Sequence, residues 1–196
     1  MKWTKSVVLV QRDKSSTGLT NSWFYDWPTH LRTYLHEFHP HLVLICIGGN
    51  DARNLSANGH VVTFGTREWT ALYDRMIRQI ATEDYQAGAR TLWVGLPIMQ
   101  PPYYRHAMAL LNSRFASVTS SIPGASYLAT WSLFADSTGH FRHAGYVNHS
   151  WQVLRSPDGI HLSSVGENVF STFVDRQIGA IYHVVIHPAS PSVITG

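Results

Sequence analysis

The sequence predicts an α/β protein in which a parallel sheet carries helices on both faces. Leu42 to Ile47 is an unbroken apolar run that ends in Gly48-Gly49-Asn50-Asp51. A continuous run of this length reads as a strand buried on both faces, the hallmark of a parallel sheet. Strand-like runs and helical periods alternate along the chain, which is the βαβ pattern. The 196 residues, 44% hydrophobic and 14% charged, fit one domain with a sizeable core.

Ser6 to Arg12 (SVVLVQR) reads as the first strand and Asp13 to Gly18 as a polar turn. A helix opens near Asp26, a candidate N-cap, with Pro28 in its first turn, where a missing N–H costs nothing. Leu31, Tyr34, Leu35 and Phe38 follow at helical spacing, and Pro40 stops the helix before the central strand 42–47. Residues 52–66 read as a long loop. Glu68 to Ala87 places Trp69, Leu72, Tyr73, Met76, Ile77 and Ile80 on one helical face, with Gly88 as C-cap. Thr91 to Leu96 is the next strand, 104–119 a helix, Ser126 to Ala129 a short fourth strand and Gly166 to Tyr182 the last helix. Residues 131–157 break the alternation and read as an excursion over the sheet edge, with a turn at Thr138-Gly139. One domain is expected over 1–182, followed by a loose tail over 183–196.

The net charge is +3, from 15 basic and 12 acidic residues, and no Lys/Arg run occurs. That argues against nucleic acid as a partner. No apolar run reaches membrane-spanning length, so stable membrane insertion is not expected. Met1 to Lys5 is too short and polar for a signal peptide. Cys46 is the sole cysteine and sits mid-strand, which reads as an inert buried thiol and excludes a disulfide within the chain. Seven Trp and nine Tyr suit a carbohydrate or lipid substrate and equally suit a core.

Two stretches carry chemistry. The glycines of 48–51 let the backbone turn at the C-terminal end of a strand, the edge where open α/β sheets bind ligands. Asn50 and Asp51 therefore stand where a site is expected, or else only cap backbone groups there. Asp158 and His161 are three residues apart in Asp158-Gly159-Ile160-His161-Leu162-Ser163. In a turn, that spacing lets the carboxylate reach Nδ1 of the imidazole, fix its tautomer and leave Nε2 as a general base. The alternative is an Asx turn ahead of the last helix, with His161 packed.

Together the two stretches resemble the SGNH hydrolase superfamily, the GDSL esterases. Gly48-Gly49-Asn50-Asp51 is similar to that family's Gly-x-Asn-Asp block, and Asp158-Gly159-Ile160-His161 to its Asp-x-x-His block. Ser15-Ser16-Thr17-Gly18-Leu19, Phe24-Tyr25-Asp26-Trp27-Pro28 and Trp93-Val94-Gly95-Leu96-Pro97 resemble a bacterial SGNH branch of uncharacterised proteins. The likeness extends from about Val7 to Tyr182. It implies a flavodoxin-like three-layer α/β/α sandwich. By residue, it implies Gly18 as a backbone oxyanion donor, Asn50 as a side-chain oxyanion donor, His161 as general base and Asp158 as its orienting carboxylate. Asp51 is expected to hold the turn that aims Asn50. Such chemistry needs no metal or cofactor.

The family's first block, Gly-Asp-Ser, carries the nucleophile and has no counterpart before Ser6. Asp13-Lys14-Ser15 is a poor substitute, because the preceding glycine is absent and Gly18 follows too closely, so Ser15 and Ser16 are weak nucleophile candidates. Gly18 stands relative to Asn50 as the family's second block does, so the strand over 6–12 corresponds to the family's second strand. The expectation is an N-terminally shortened chain that lacks the first strand, with 7–11 and 42–47 either each facing an unpaired edge or pairing with one another in a way foreign to the family.

The expected function is a serine-type acyl-ester hydrolase or O-acetyl transferase acting on a small ester or an acylated bacterial polysaccharide. The resemblance also implies a periplasmic or secreted location. The alternative is a catalytically inactive carbohydrate-binding or scaffold protein, or a non-functional fragment. His36, His39 and His41 straddle a helix end interrupted by Pro40, so solvated histidines are expected there rather than a metal site. Trp131, Phe141, Tyr146 and Trp151 in the excursion either form a sugar platform or pin it to the sheet. The sequence leaves the acyl chain and the oligomeric state open.

Overall fold

A computed structural model describes residues 7–183. Helix α1 spans Trp27–Phe38, with Asp26 at its N-cap position and Pro28 in the first turn. It ends as His39 turns left-handed (φ 44°) and donates its N–H to the Leu35 carbonyl at 3.1 Å. Strand β1 (Leu42–Ile45) follows, then a hairpin of β2 (Leu55–Ala57) and β3 (His60–Val62). Helix α2 (Arg67–Gln86) is capped by Thr66, whose hydroxyl accepts the Trp69 N–H at 3.3 Å. Next come β4 (Arg90–Val94), α3 (Pro102–Thr119) and β5 (Ala125–Leu128). A second hairpin, β6 (Ala144–Val147) and β7 (Ser150–Val153), precedes α4 (Ser164–Tyr182), whose N-cap Ser163 accepts the Gly166 N–H at 3.1 Å.

The sheet is parallel, in the order β1-β4-β5, with Leu42 beside Arg90, Ile45 beside Trp93 and Val94 beside Leu128. Side chains of β4 alternate between two layers. Trp93 joins Val43 and Ile45 in a core with Leu31 and Leu35 of α1, Tyr73 and Ile77 of α2, and Leu111 and Phe115 of α3. Leu92 and Val94 face the other way, against Phe170, Val174 and Ile178 of α4. The result is the expected three-layer α/β/α arrangement.

Several expectations are corrected. Residues 7–12 form no strand, and Val8 and Leu9 are 85% and 77% exposed. Strand propensity alone does not hold an extended segment; it needs a ladder partner, and none of the described strands pairs with 7–12. β1 itself lies at an edge of the sheet, one of the two arrangements expected for it without the first strand. Its outer edge has no strand partner among the described residues, Leu44 is exposed, and Cys46 is exposed rather than buried. Residues 52–66 contain the β2–β3 hairpin, turning at Asn58-Gly59 with φ of 51° and 78°. Such a pair of left-handed residues is the tight hairpin turn that matches strand twist. The excursion 131–157 is ordered by a short 3-10 turn at Trp131–Phe134, an Ala135–Phe141 bridge and the β6–β7 hairpin. Gly88 lies one residue past the α2 C-cap, Ala87, and is left-handed (φ 83°). Of the expected tail, all beyond His183 lies outside the described residues, as does Met1–Ser6.

Among the described residues, no helix is long and apolar enough to cross a membrane. Nor do three potential metal ligands gather there; the His36 and His39 rings lie 6.2 Å apart.

Candidate active site

The site forms where the C-terminal end of β1 meets the turn ahead of α4. Gly48 is left-handed at φ 128°, and the Asp51 N–H closes the turn onto the Gly48 carbonyl at 2.8 Å. Asp51 is fully buried there. Its Oδ1 accepts the backbone N–H and the hydroxyl of Thr20, each at 2.9 Å, and its Oδ2 accepts the Tyr73 hydroxyl at 2.7 Å. One carboxylate thus ties the end of β1 to the 3-10 turn Leu19–Asn21 and to α2. Burial raises its pKa, and the hydrogen bonds from Thr20 and Tyr73 oppose that rise.

Gly18 packs directly on this carboxylate. A Cβ at Gly18 would lie 2.1 Å from Asp51 Oδ1, so no larger residue fits without movement. Asn50 is exposed and donates one amide N–H to the Thr17 carbonyl at 3.1 Å. Its Nδ2 carries a second N–H for a ligand. The chain has no cis peptide bond among the described residues, so the Gly18 N–H points opposite to the Thr17 carbonyl and away from the Asn50 amide. Gly18 and Asn50 are neighbours, but their donors do not converge on one point.

Asp158 and His161 form a direct pair, Oδ2 to Nδ1 at 2.6 Å. The other carboxylate oxygen accepts the N–H groups of Ile160 at 2.8 Å and His161 at 3.0 Å. The Asx turn and the orienting carboxylate, alternatives in the sequence, coexist in the structure. Asp158 is held down to about 2, first by the His161 hydrogen bond and then by the two backbone N–H groups. Gly159 is left-handed (φ 66°), and a Cβ there would lie 2.5 Å from Cβ of Gln100. Beneath the turn, Arg155 is fully buried between the rings of Phe134 and Phe141, each 5.3 Å away, and donates to the Ile160 carbonyl at 2.6 Å.

A cleft of about 400 Å³ brings Asn50 and His161 together, lined also by Gly49, Ala52, Arg53, Tyr104 and Ile160. Asp158 backs His161 from outside that lining, and Gly18 is also outside it, packed on Asp51. No serine lines the cleft among the described residues. Arg53, Tyr104 and Ile160 were not anticipated. Arg53 donates Nε to the Asn50 carbonyl at 2.9 Å, and its place three residues after Asn50 was the available signal. Tyr104 enters from the first turn of α3, which follows β4 and so starts at the ligand-binding edge of the sheet.

A family model described as "Protein of unknown function (DUF459)" matches residues 1–177. The chain belongs to this family. No curated protein matches the DUF459 chain. Among solved structures, TesA is 20% identical and aligns over 80% of this chain and 72% of its own, with a TM-score of 0.52. A GDSL-like lipase from Bacteroides thetaiotaomicron is 14% identical over 85% and 73% of the two chains, TM-score 0.57. A carbohydrate esterase family 3 protein from Talaromyces cellulolyticus is 12% identical over 87% and 70%, TM-score 0.52. At such identities the likeness establishes the fold. It is the fold of GDSL lipases and esterases, in agreement with the SGNH resemblance of the sequence blocks.

Proposed function

We propose that this DUF459 chain performs acyl-ester chemistry of the SGNH kind, by hydrolysis or transfer, on a small ester or an acylated extracytoplasmic polysaccharide. The observation that carries this reading is the Asp158–His161 pair facing Asn50 across one cleft. Asp158 fixes the proton on Nδ1, so Nε2 of His161 accepts the proton of a hydroxyl as that hydroxyl attacks the acyl carbonyl. The carbonyl oxygen becomes an oxyanion, and the free N–H of Asn50 Nδ2 stabilises it. One such donor is worth about 3–4 kcal/mol in the transition state. The imidazolium returns its proton to the departing alkoxide, leaving an acyl-enzyme that water or a sugar hydroxyl then cleaves. The Gly18 N–H joins Asn50 only if the Thr17–Gly18 peptide turns over on binding.

The attacking hydroxyl comes from outside the described residues on this reading, since none of the seven residues lining the cleft is a serine. The open edge of β1, beside the cleft, is the place for a strand that delivers it. The test is hydrolysis of p-nitrophenyl acetate by the protein as its gene encodes it. Turnover that His161→Ala reduces at least a thousandfold is expected, with a fluorophosphonate label mapping to a serine outside residues 7–183. Turnover indifferent to His161→Ala overturns the reading.

The same lack of a cleft serine favours a second reading, a catalytically silent carbohydrate-binding protein. It predicts sugar binding with no turnover and no fluorophosphonate label.

A further inference from the structure

The β6–β7 hairpin presents its apolar side to solvent. In its register Tyr146 is opposite Trp151 and Ala144 is opposite Val153. Alternate residues of a strand share a face, so these four side chains form one stripe. Tyr146 is 75% exposed and Trp151 64%, and Val153 is exposed beside them. The other face is the one that packs inward: Gly145 is buried, and Val147 lies against the cluster of Ile98, Phe134 and Leu154. A hairpin with one solvated face ordinarily puts polar residues outward. Here the pattern is reversed at the surface, and the two rings stand edge to face with centroids 5.2 Å apart.

The hairpin is joined to the candidate active site by hydrogen bonds and a β-bridge. Its stem runs directly into the Asp158–His161 turn. The Leu154 N–H bonds the His143 carbonyl at 2.9 Å, and the Ser163 hydroxyl bonds the Val153 carbonyl at 2.6 Å. Arg155 and Leu162 form a bridge that closes the loop between them.

We infer that this hairpin is a binding platform for a neutral sugar, holding the saccharide whose ester enters the Asn50–His161 cleft. Charge selects this occupant. No Lys, Arg, Asp or Glu occurs between His143 and Leu154. An anionic bilayer is met by Lys and Arg beside the aromatics, and these are absent from the hairpin. At the hairpin tip the exposed Asn148 and His149 are polar and able to hydrogen-bond, whereas Ser150 and Gln152 belong to the opposite face with Val147 and Gly145. A pyranose has the complementary surface, an apolar C–H face for an aromatic ring and a rim of hydroxyls for amides and hydroxyls. The inference rests on the polysaccharide part of the function proposed above.

The test is calorimetric titration of the intact protein with cellohexaose, mannohexaose and partly O-acetylated forms of each. Binding to at least one is expected, weakened tenfold or more by Trp151→Ala and by Tyr146→Ala. Both side chains are exposed, so unchanged circular dichroism and melting temperature certify the fold of the variants. Hydrolysis of p-nitrophenyl acetate, which carries no sugar, is expected to be untouched by Trp151→Ala. Sugar binding without p-nitrophenyl acetate turnover keeps the platform and removes the esterase reading; turnover without sugar binding does the opposite. The platform is overturned if no neutral saccharide binds, or if Trp151→Ala leaves binding unchanged. Trp151-dependent sedimentation with phosphatidylcholine–phosphatidylglycerol vesicles, or Trp151-dependent self-association in place of sugar binding, also overturns it.

Discussion

Asp158 holds His161 at two points: its Oδ2 meets Nδ1 at 2.6 Å, and its Oδ1 receives the backbone N–H of the same residue at 3.0 Å. The imidazole and the turn that carries it are therefore oriented by one group. Asp158→Asn separates the two jobs. The amide oxygen can still accept the backbone N–H groups, while an amide N–H aimed at Nδ1 forces the wrong tautomer. Catalysis by this dyad is expected to fall about 10³- to 10⁴-fold in kcat, far more than the small drop in stability at neutral pH. The pH dependence has a fixed sign. The carboxyl is held at about 2 in the folded chain, below its ordinary value. Its contribution to stability is therefore complete above about pH 4 and is lost as pH falls toward 2. Urea denaturation of wild type and Asp158→Asn across that range should converge at the acid end, and added salt should shrink the difference, because the pair is exposed.

Asp51 anchors the turn that carries Asn50. Removing it in Asp51→Ala leaves the Thr20 N–H, the Thr20 hydroxyl and the buried Tyr73 hydroxyl without their acceptor. The expected loss is about 3 kcal/mol, from several buried donors unsatisfied together. Gly18→Ala should cost about 1–3 kcal/mol by pressing a methyl onto the same carboxylate. Both values are read from denaturation midpoints at constant m-value. A Gly18→Ala protein as stable as wild type would refute the close approach.

Arg155 acts on His161 from below. Its Nη2 bonds the Ile160 carbonyl, and burial pulls its pKa down to about 10 despite the opposing charge of Asp158. Arg155→Met fills the space between Phe134 and Phe141 but leaves that carbonyl unpaired. The turn should then open locally: amide exchange at Ile160 and His161 should quicken while the α2 core stays protected. A base displaced by about an ångström can lose about 10² in rate, so kcat should fall with KM little changed. Arg155→Lys, with a single point of donation, is expected to restore only part of the loss. An equal fall in kcat and protection throughout the molecule would instead mark a purely structural role.

The elements with strong periods were legible in the sequence: the apolar faces of α1 and α2, the apolar end of β4 over Leu92 to Val94, and the Gly-x-Asn-Asp and Asp-x-x-His turns. The misreadings share one physical cause, that strand formation depends on a partner the local sequence does not specify. Val7 to Val10 has β-propensity but no ladder, and Leu42 to Ile47 looks buried on both faces yet lies at an edge. Asn58-Gly59 was a readable hairpin signal; Asn148-His149 was less so, because a histidine at φ 64° is uncommon. Asn50 and His161 were named from spacing, but their meeting in one cleft with Arg53 and Tyr104 depends on how β1, α3 and the α4 turn converge.

Asp84 gives the fold a pH dependence of the opposite sign to that of Asp158. It is completely buried at the end of α2, bonds the Thr91 hydroxyl at 2.6 Å, and leaves Oδ1 without a partner. Burial pushes its carboxyl up to about 7, only partly opposed by Thr91, with the nearby Glu83 charge adding to the rise. A carboxyl that keeps its proton in the folded state stabilises fully below its unfolded value, near pH 4. That stabilisation drains away as pH climbs through about 7. Wild-type stability from urea denaturation should therefore decline between pH 5 and pH 8, by on the order of 3 kcal/mol from this group. Asp84→Asn keeps the volume and an acceptor for Thr91 without a charge to bury. It should flatten that slope and exceed wild type at pH 8. A slope that persists in Asp84→Asn would assign the effect to another group.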